Sequence, residues 1–425
     1  MRSAYRCLGG IGALFFVTIS LPAWAADRLA HVPGRLLIAL RPGVDEGLLA
    51  QTLMRHRAVV RKHWAQISVS VLEVPEAASE AIKESLERTG LFQYVEHDQY
   101  AHPAEIPNDP NFASQWHLSR IQTPQAWDLT TGSPSVVVAV IDSGVYGAHP
   151  DLAPNLMPGW NFVKSNSDTT DVLGHGTAVS GTIAAAANNG VGVAGVSWQS
   201  RIMPLVVVDD DNLATYSNIA EAIQYAADRG VRVINISIGG TVPSLTLQGA
   251  VDYAWSKGAL IFASAMNNGA SDPYYPAACN HVMAVSATDS YDHLASFSNY
   301  GTWVTISAPG VSILTTVIGG GYAYCFGTSF ASPIVAGVAA LSLAINPALT
   351  NAELASILEK SADDLGSPGY DAYFGWGRVN AKGAVAAAKK ALPVASPVIP
   401  LFDPRDGTGP RGDDRLRGKT PTTAH

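Results

Sequence analysis

Four residues that lie far apart in the chain have the types that nucleophilic acyl transfer requires. Asp142 ends an apolar run, His175 stands between two glycines before a small-residue helical stretch, and Ser329 opens an apolar helical stretch. This chemistry needs a hydroxyl, a neutral imidazole that accepts its proton and a carboxylate that holds the imidazole tautomer. Asn267, which follows another apolar run, could donate a hydrogen bond to the developing oxyanion. The set predicts a covalent hydrolase site.

Each of the four residues also has a local structural interpretation. A serine before a helix is commonly an N-cap, and an aspartate or asparagine after a strand commonly forms a turn. A lone histidine at the start of a helix is more often structural than catalytic. Only the joint occurrence of the four favours catalysis over these alternatives.

The chain from Trp116 to about Ala388 alternates apolar runs with helical stretches. The strand candidates are 136–141, 201–208, 231–238, 260–265, 282–287 and 303–308. The helix candidates are 177–187, 217–229, 245–257 and 332–344. This alternation predicts an α/β domain over residues 116–390, with a parallel sheet covered by helices on both faces. Functional residues of such sheets lie at the carboxyl ends of the strands.

A smaller unit precedes this domain. Its pattern is β-α-β-α-β, with strands at 33–41, 67–74 and 92–95 and helices at 45–56 and 77–89. The order predicts a small α+β domain over residues 27–101. Residues 102–115 are rich in proline and polar residues, so they are interpreted as a linker and the start of the mature enzyme.

Both ends of the chain are predicted to lie outside the folded domains. Residues 1–26 have arginines, an apolar run and a small-residue cleavage site at Ala23-Trp24-Ala25, which indicates a signal peptide and export. An uncleaved membrane anchor is the alternative, but the apolar run is short for a span. We expect no other segment to be long and apolar enough to cross a bilayer. Residues 391–425 combine prolines with mixed charges and predict a disordered tail.

The charge balance excludes nucleic acid as the main partner. The formal net charge is −8 and the sequence pI is about 5.7, whereas phosphate binding needs a basic face.

The cysteines are few. Cys7 falls in the predicted leader, which leaves Cys279 and Cys325, and two cysteines in an exported chain suggest one disulfide. Two independent buried thiols are the alternative, because sequence does not place their Cα atoms within bridging distance.

The order and surroundings of the candidate residues resemble one protein family. Asp142 lies in Ile-Asp-Ser-Gly-Val, His175 in Gly-His-Gly-Thr and Ser329 in Gly-Thr-Ser-Phe-Ala-Ser-Pro. In this order the motifs resemble the subtilisin-like serine proteases, or subtilases, and their thermitase branch, over about 108–388. The resemblance implies a serine endopeptidase with Ser329 as nucleophile, His175 as general acid/base and Asp142 as its orienting carboxylate. Asn267 would then be the oxyanion donor.

The resemblance extends to substrate and partners. Ser237, Ile238 and Gly239 match the segment that pairs with an extended polypeptide substrate, and Leu213 lies in the facing loop. Residues 27–101 are similar to the inhibitor-type propeptide with its ferredoxin-like fold, which acts as an intramolecular inhibitor. Cleavage is expected between residues 100 and 107. A monomer that is secreted or periplasmic, and free of membrane once the leader is removed, is expected.

The family's calcium site has counterparts here. Asp109, Asp151 and Asn189 match side-chain ligands, and Ala187, Val191 and Val193 match backbone carbonyl ligands. Oxygen ligands from separate loops suit Ca²⁺. Ordinary turn-forming Asp and Asn residues are the alternative. The acidic run 209–211 is interpreted as a solvated loop.

Three departures from the family pattern concern specificity. Met266 replaces the glycine that usually precedes the oxyanion asparagine, the loop 212–215 lacks glycine, and Tyr274 falls at the floor of the pocket for the residue before the scissile bond. We expect Met266 and Tyr274 to make this pocket shallow, so that small or medium residues are preferred. A catalytically weak subtilase-fold binding protein is the alternative function. An α/β-hydrolase esterase is set aside, because that class needs Gly-x-Ser-x-Gly and a different residue order.

Overall fold

The computed structural model describes residues 31–100 and 106–392, which belong to two compact units. The predicted leader 1–26 lies outside the described residues. So do residues 101–105, within the region between residues 100 and 107 where cleavage is expected, and the tail from residue 393 onward.

The N-terminal unit is a four-stranded antiparallel sheet with two helices. Its elements are β1 His31–Leu40, α1 Glu46–Arg55, β2 Val59–Trp64, β3 Val69–Glu73, α2 Ser79–Arg88 and β4 Phe92–Gln99. The strand order is β2-β3-β1-β4, and every neighbouring pair is antiparallel. Alternate positions of the strands and one face of α2 bury a small core that includes Leu36, Leu72 and Leu86. This is the predicted ferredoxin-like fold.

One strand of this unit was missed from the sequence. The pattern predicted β-α-β-α-β, but β2 adds a sixth element that pairs with β3. Five of the six residues of β2 are exposed, so the strand lacks the apolar alternation that marks a half-buried strand. An edge strand with charged side chains carries little sequence signal.

The C-terminal unit is built on a parallel sheet of seven strands within the described residues. In chain order they are β5 Val137–Asp142, β6 Trp160–Asn161, β7 Arg201–Val206, β8 Val233–Ile236, β9 Leu260–Ser264, β10 Val282–Thr288 and β11 Ile306–Pro309. Their spatial order is β11-β10-β9-β8-β5-β7-β6. Every residue of β8, β9 and β10 is buried, as expected for a sheet covered on both faces.

Helices cover both faces of this sheet, as predicted. They are α3 Trp116–Arg120, α4 Thr123–Trp127, α5 His175–Ala184, α6 Tyr216–Asp228, α7 Leu245–Ser256, α8 Thr328–Ile345, α9 Asn351–Ser361 and α10 Ala381–Lys390. Buried residues of α5, α8 and α10 form one core with the sheet, and those of α6 and α7 form the other. The α/β prediction is confirmed. An antiparallel hairpin, β12 Ile313–Val317 and β13 Gly321–Cys325, was not predicted.

Helix α8 corrects the expectation about membrane-spanning segments. Among the described residues it is long and apolar enough to cross a bilayer, with a mean hydropathy of 1.8, and 89% of it is buried inside the protein. Its apolarity therefore reflects its position at the centre of the larger core.

The predicted disulfide is wrong. Cys279 and Cys325 are both free thiols in the structure. Cys279 packs in the core that contains α6 and α7, whereas Cys325 contacts the core on the other face of the sheet. The sheet therefore lies between the two sulfurs. Burial raises the pKa of the Cys279 thiol to about 11.

Candidate active site

Asp142 and His175 are joined by a hydrogen bond at the carboxyl end of β5. Asp142 is the last residue of the strand and is 1% exposed, and its Oδ1 lies 2.8 Å from His175 Nδ1. The same oxygen accepts the Ser143 N–H at 2.7 Å. Because a carboxylate accepts and does not donate, it holds the neutral imidazole as the Nδ1–H tautomer, which leaves Nε2 as a base.

The buried carboxylate of Asp171, which was not predicted from the sequence, holds Asp142 and His175 in their relative positions. Asp171 accepts hydrogen bonds from the Ser143 hydroxyl, from two N–H groups just before His175 and from Thr177 of α5. The Ser143 hydroxyl oxygen in turn accepts the Gly176 N–H at 2.9 Å. The strand that carries Asp142 and the helix that carries His175 are therefore locked together.

The pKa of His175 is displaced by competing effects. Burial lowers the pKa, but the charge of Asp142, its hydrogen bond and the charge of Asp171 outweigh burial and raise it above the ordinary 6.5. The carboxylates thus favour the imidazolium, the form that a general base takes after accepting a proton.

Ser329 lies in the first turn of α8, where helix N–H groups have no partner inside the helix. Its hydroxyl donates to the Ser237 carbonyl at 3.2 Å. Among the hydrogen bonds of the described residues, none joins Ser329 to His175, although the His175 ring centroid is 6.0 Å from that of the adjacent Phe330. The structure therefore holds the serine in a rotamer directed at the chain segment after β8.

Pro333 explains how that segment is attached to α8. A proline inside a helix has no N–H, so the carbonyl four residues earlier lacks its helical donor. That carbonyl belongs to Ser329, and it accepts the Ser237 hydroxyl at 3.0 Å instead. Asn235 supports the pair, because it donates to the Ser237 hydroxyl and accepts from Ser332 of α8.

Asn267 follows β9 and faces the same helix start. Its Oδ1 accepts both the N–H and the hydroxyl of Thr328, at 2.8 and 2.9 Å. Two donors on one oxygen fix the orientation of the amide, so its Nδ2–H₂ group is the part left to donate elsewhere. Met266, directly before it, has φ +76°, a left-handed conformation that side chains other than glycine rarely adopt.

An open cleft of about 610 Å³ lies over the carboxyl ends of the central strands. The predicted residues that line it are Asp142, His175, Leu213, Ser237, Ile238, Gly239 and Met266. A Cβ on Gly239 would lie 3.5 Å from the Met266 sulfur, so the methionine side chain reaches across towards the Ser237–Gly239 segment. Tyr274 is half-buried and is not among the described lining residues, but the next residue, Tyr275, bonds Gly240 through both backbone groups.

The residues predicted to hold calcium come together in a second place. Asp109 and Asp151 are buried, and Asn189 donates to Asp151 at 3.0 Å. Asp109 accepts the N–H of Asn188 at 2.7 Å. Within the described part of the chain, neither carboxylate has a basic partner, and the pKa of Asp109 is raised by burial and by the charge of Asp151.

The backbone around these carboxylates leaves acceptors free. Among the hydrogen bonds of the described residues, none is accepted by the carbonyls of Ala187, Val191 or Val193. No group of three or more His, Cys, Asp or Glu side chains suited to a metal occurs in the described ranges. The predicted calcium ligands therefore comprise two carboxylates whose charge no basic side chain of the described residues neutralises, together with amide and carbonyl oxygens. These oxygen donors suit a hard cation.

Known proteins resemble this chain in sequence and in fold. The profile of the Subtilase family matches residues 133–377. The thermophilic serine proteinase of Bacillus sp. (strain AK1) is 40% identical over 84% of this chain and 89% of that protein. Thermitase of Thermoactinomyces vulgaris is 43% identical over 66% of this chain and 99% of that protein.

A solved protease structure from Pseudoalteromonas arctica PAMC 21717 has a TM-score of 0.61 and 34% identity to this chain, covering 67% of this chain and all of that one. With the strand-end carboxylate, the imidazole and the helix-start serine arranged as described, the matches lead to one conclusion. The chain belongs to the subtilase family and is a subtilisin-like serine endopeptidase.

Proposed function

We propose that this protein is an exported endopeptidase that cleaves extended or unfolded polypeptides through an acyl-enzyme at Ser329. The observation that carries the proposal is the Asp142–His175 hydrogen bond of 2.8 Å at the cleft. Ser329 is not among the described lining residues, but its hydroxyl donates to the carbonyl of Ser237, which is one of them. His175 Nε2 takes the Ser329 proton as Oγ attacks the peptide carbonyl carbon, and then gives it to the departing amine. Water attacks the ester by the same route in reverse and restores the serine.

The negative charge on the carbonyl oxygen is met by fixed donors. The Asn267 Nδ2 group is oriented by Thr328. The Ser329 N–H, which has no acceptor among the hydrogen bonds of the described residues, is a second donor at the positive end of α8. These dipoles are in place before the charge develops, so they stabilise the transition state more than the ground state.

The contact between Ser329 and Ser237 gives substrate a role in preparing the nucleophile. The Ser237 carbonyl now accepts the Ser329 hydroxyl. A substrate N–H bound to that carbonyl competes with the hydroxyl, which then turns towards His175. Attack thus begins once the peptide backbone is in register.

Backbone pairing explains a preference for extended substrate. Within the described residues, Ile238 and Gly239 make no backbone–backbone hydrogen bond, although they follow a strand and line the cleft. A peptide can add as a strand along this edge, facing Leu213 on the other side. Such pairing selects substrates by their extended backbone conformation more than by the identity of their side chains.

Side-chain preference depends on Met266 and Tyr274. The Met266 side chain occupies space near Gly239 that a glycine would leave open. Tyr274 is assigned to the floor of the pocket for the residue before the scissile bond on the family resemblance, since it is not among the described residues that line the cleft. A pocket narrowed by these two side chains is shallow and favours small or medium residues.

We assign a structural Ca²⁺ site to Asp109, Asp151, Asn189 and the carbonyls of Ala187, Val191 and Val193. Its support is the pair of buried carboxylates without a basic partner in the described residues and the unbonded carbonyls beside them. The ion would neutralise the carboxylates and hold residue 109 to the loop after α5, which stabilises the fold.

The N-terminal unit is proposed to be a propeptide that the enzyme removes itself. Its ferredoxin-like sheet and its position before the protease unit support this role. Residues 1–26 would direct export, and the product is expected to be a monomer that acts outside the cytoplasm.

The test is covalent labelling with a fluorophosphonate, followed by peptide mapping and determination of the product's N-terminus. We expect modification at Ser329 and a new N-terminus between residues 100 and 107. Ser329→Ala should lose both labelling and processing, and Ser167→Ala, at an exposed serine, should retain both. Labelling at another residue, or normal processing of Ser329→Ala, would contradict the proposal.

A further inference from the structure

Asn299 is a fully buried asparagine that contacts the turn carrying Asn267 on both sides. Its side-chain Oδ1 accepts the N–H of Asn268 at 2.8 Å and the N–H of Ala270 at 3.2 Å. Its own N–H donates to the carbonyl of Met266 at 2.9 Å. One residue therefore bonds the chain before Asn267 and the chain after it.

This turn is irregular and needs outside support. Met266 is held at φ +76°, a conformation that persists in a non-glycine residue when the surroundings over-determine it. Two further bonds, from the Gly269 N–H to Phe297 and from the Tyr300 N–H to Ala270, complete the attachment to segment 297–300. Of these five bonds, three involve Asn299.

The orientation of the Asn299 amide that these bonds require has an energetic cost. Because Oδ1 receives two N–H groups, the orientation of the amide is fixed. Its Nδ2 is buried and has no hydrogen-bond partner among the described residues. A buried donor without a partner is destabilising, so packing alone does not account for an asparagine here, whereas the need for its oxygen does.

We propose that Asn299 is a positioning residue for the oxyanion site and acts through the main chain of the turn 266–270. Thr328 fixes the side chain of Asn267, and Asn299 fixes the backbone from which that side chain extends. Donors stabilise an oxyanion only within a few tenths of an ångström of the right place. The inference rests on the proposed role of Asn267.

The experiment is a double-mutant cycle with Asn299→Ala, Asn267→Ala and the double variant, each in the form in which the wild-type chain is active. Kinetics with a peptide anilide are normalised to folded protein by circular dichroism. Removing one oxyanion donor lowers kcat by about 10²–10³. We expect Asn299→Ala to lower kcat roughly tenfold with KM within about twofold, and to cause no further loss in the Asn267→Ala background.

Asn346→Ala is the matched control. Asn346 is also a buried asparagine whose side chain bonds backbone groups, but its partners are Ala348 and Ala388. It should lower thermal stability and leave kcat unchanged. If Asn299→Ala does not accumulate as folded protein, Asn299→Ser, whose hydroxyl is too short to serve both N–H groups, should give the same split between kcat and KM.

Three results would overturn the proposal. They are an unchanged kcat in Asn299→Ala, an effect on KM alone, and an equal loss of kcat in both Asn267 backgrounds. If Asn267→Ala itself keeps the wild-type kcat, the oxyanion assignment falls and the role of Asn299 falls with it. If Asn267→Ala is impaired and Asn299→Ala is not, only the role of Asn299 is refuted.

Discussion

Replacing Met266 with glycine should widen the range of cleavable peptides at little cost in stability. The side chain extends towards Gly239 inside the cleft, and glycine removes it completely. Discrimination in an apolar pocket changes by about 1–3 kcal/mol for each methylene that fits or fails to fit. If the change frees the space of about one such group for the substrate, the gain is about 1.4–2.8 kcal/mol, and we expect the ratio of kcat/KM for Phe over Ala before the scissile bond to rise about 10- to 100-fold.

The stability change should be small, because two effects oppose each other. A left-handed conformation costs a non-glycine residue roughly 1–2 kcal/mol, which glycine at φ +76° avoids. Glycine loses about 0.5–1 kcal/mol through the greater freedom of the unfolded chain, and the half-buried methionine gives up some apolar contact. The net change is expected within about 1 kcal/mol, or a shift in Tm of about 2–4 °C.

The assay uses peptide anilides that differ only in Ala, Leu or Phe before the scissile bond. Leu213→Ala is the control, since Leu213 lines the cleft but is assigned to the backbone-pairing side. It should change KM for all three peptides alike. A Phe-to-Ala ratio that stays constant or falls in Met266→Gly would refute the shallow-pocket reasoning.

Three further predictions concern ionisation, metal and thiols. The base must be neutral and the pKa of His175 is raised above 6.5, so the acid limb of the pH profile of kcat/KM should lie above pH 6.5. Asp142→Asn should move this limb to lower pH and reduce kcat by about 10⁴. A limb that Asp142→Asn does not move would contradict the role of Asp142 in raising the pKa of His175. A chelator should lower the Tm of the wild type by roughly 5–10 °C, as expected for loss of an ion present at about 100 times its Kd, and should have little effect on Asp151→Asn; an equal shift in both would exclude this site. Cys279 and Cys325 should both react in thiol titration of the unfolded, unreduced protein, while buried Cys279 should resist in the folded state; absence of reactive thiols would restore the disulfide.

The fold was largely predictable because its signals are local and strong. The runs that became β5, β9 and β10 are continuous apolar segments between helical patterns, and their bounds differ from the predicted ones by one residue at most. The elements that were not predicted have weak or long-range sequence signals. Strand β2 is exposed and charged, and the hairpin β12–β13 depends on pairing between strands rather than on pattern.

The candidate site shows the same division. Asp142, His175, Ser329 and Asn267 could be predicted because each is a reactive type at the end of a recognisable element. Their supporting residues were not found, because their roles depend on distant partners. Asp171 had a signal, since it lies four residues before His175, but its bond to the Ser143 hydroxyl spans 28 positions. The disulfide prediction was wrong for a related reason, since the sequence pattern does not reveal that a sheet lies between the two sulfurs.

The supporting contacts share one design, in which exceptions to regular backbone geometry are used to join elements. Pro333 removes a helical N–H, and the freed carbonyl of Ser329 binds the Ser237 hydroxyl. Met266 adopts a left-handed conformation that is rare for a residue other than glycine, and Asn299 bonds both sides of the resulting turn. A regular helix and a relaxed turn would satisfy their own hydrogen bonds and need no such partners. Because these exceptions demand outside partners, the serine, the substrate-pairing segment and the oxyanion donor are held by one connected set of bonds.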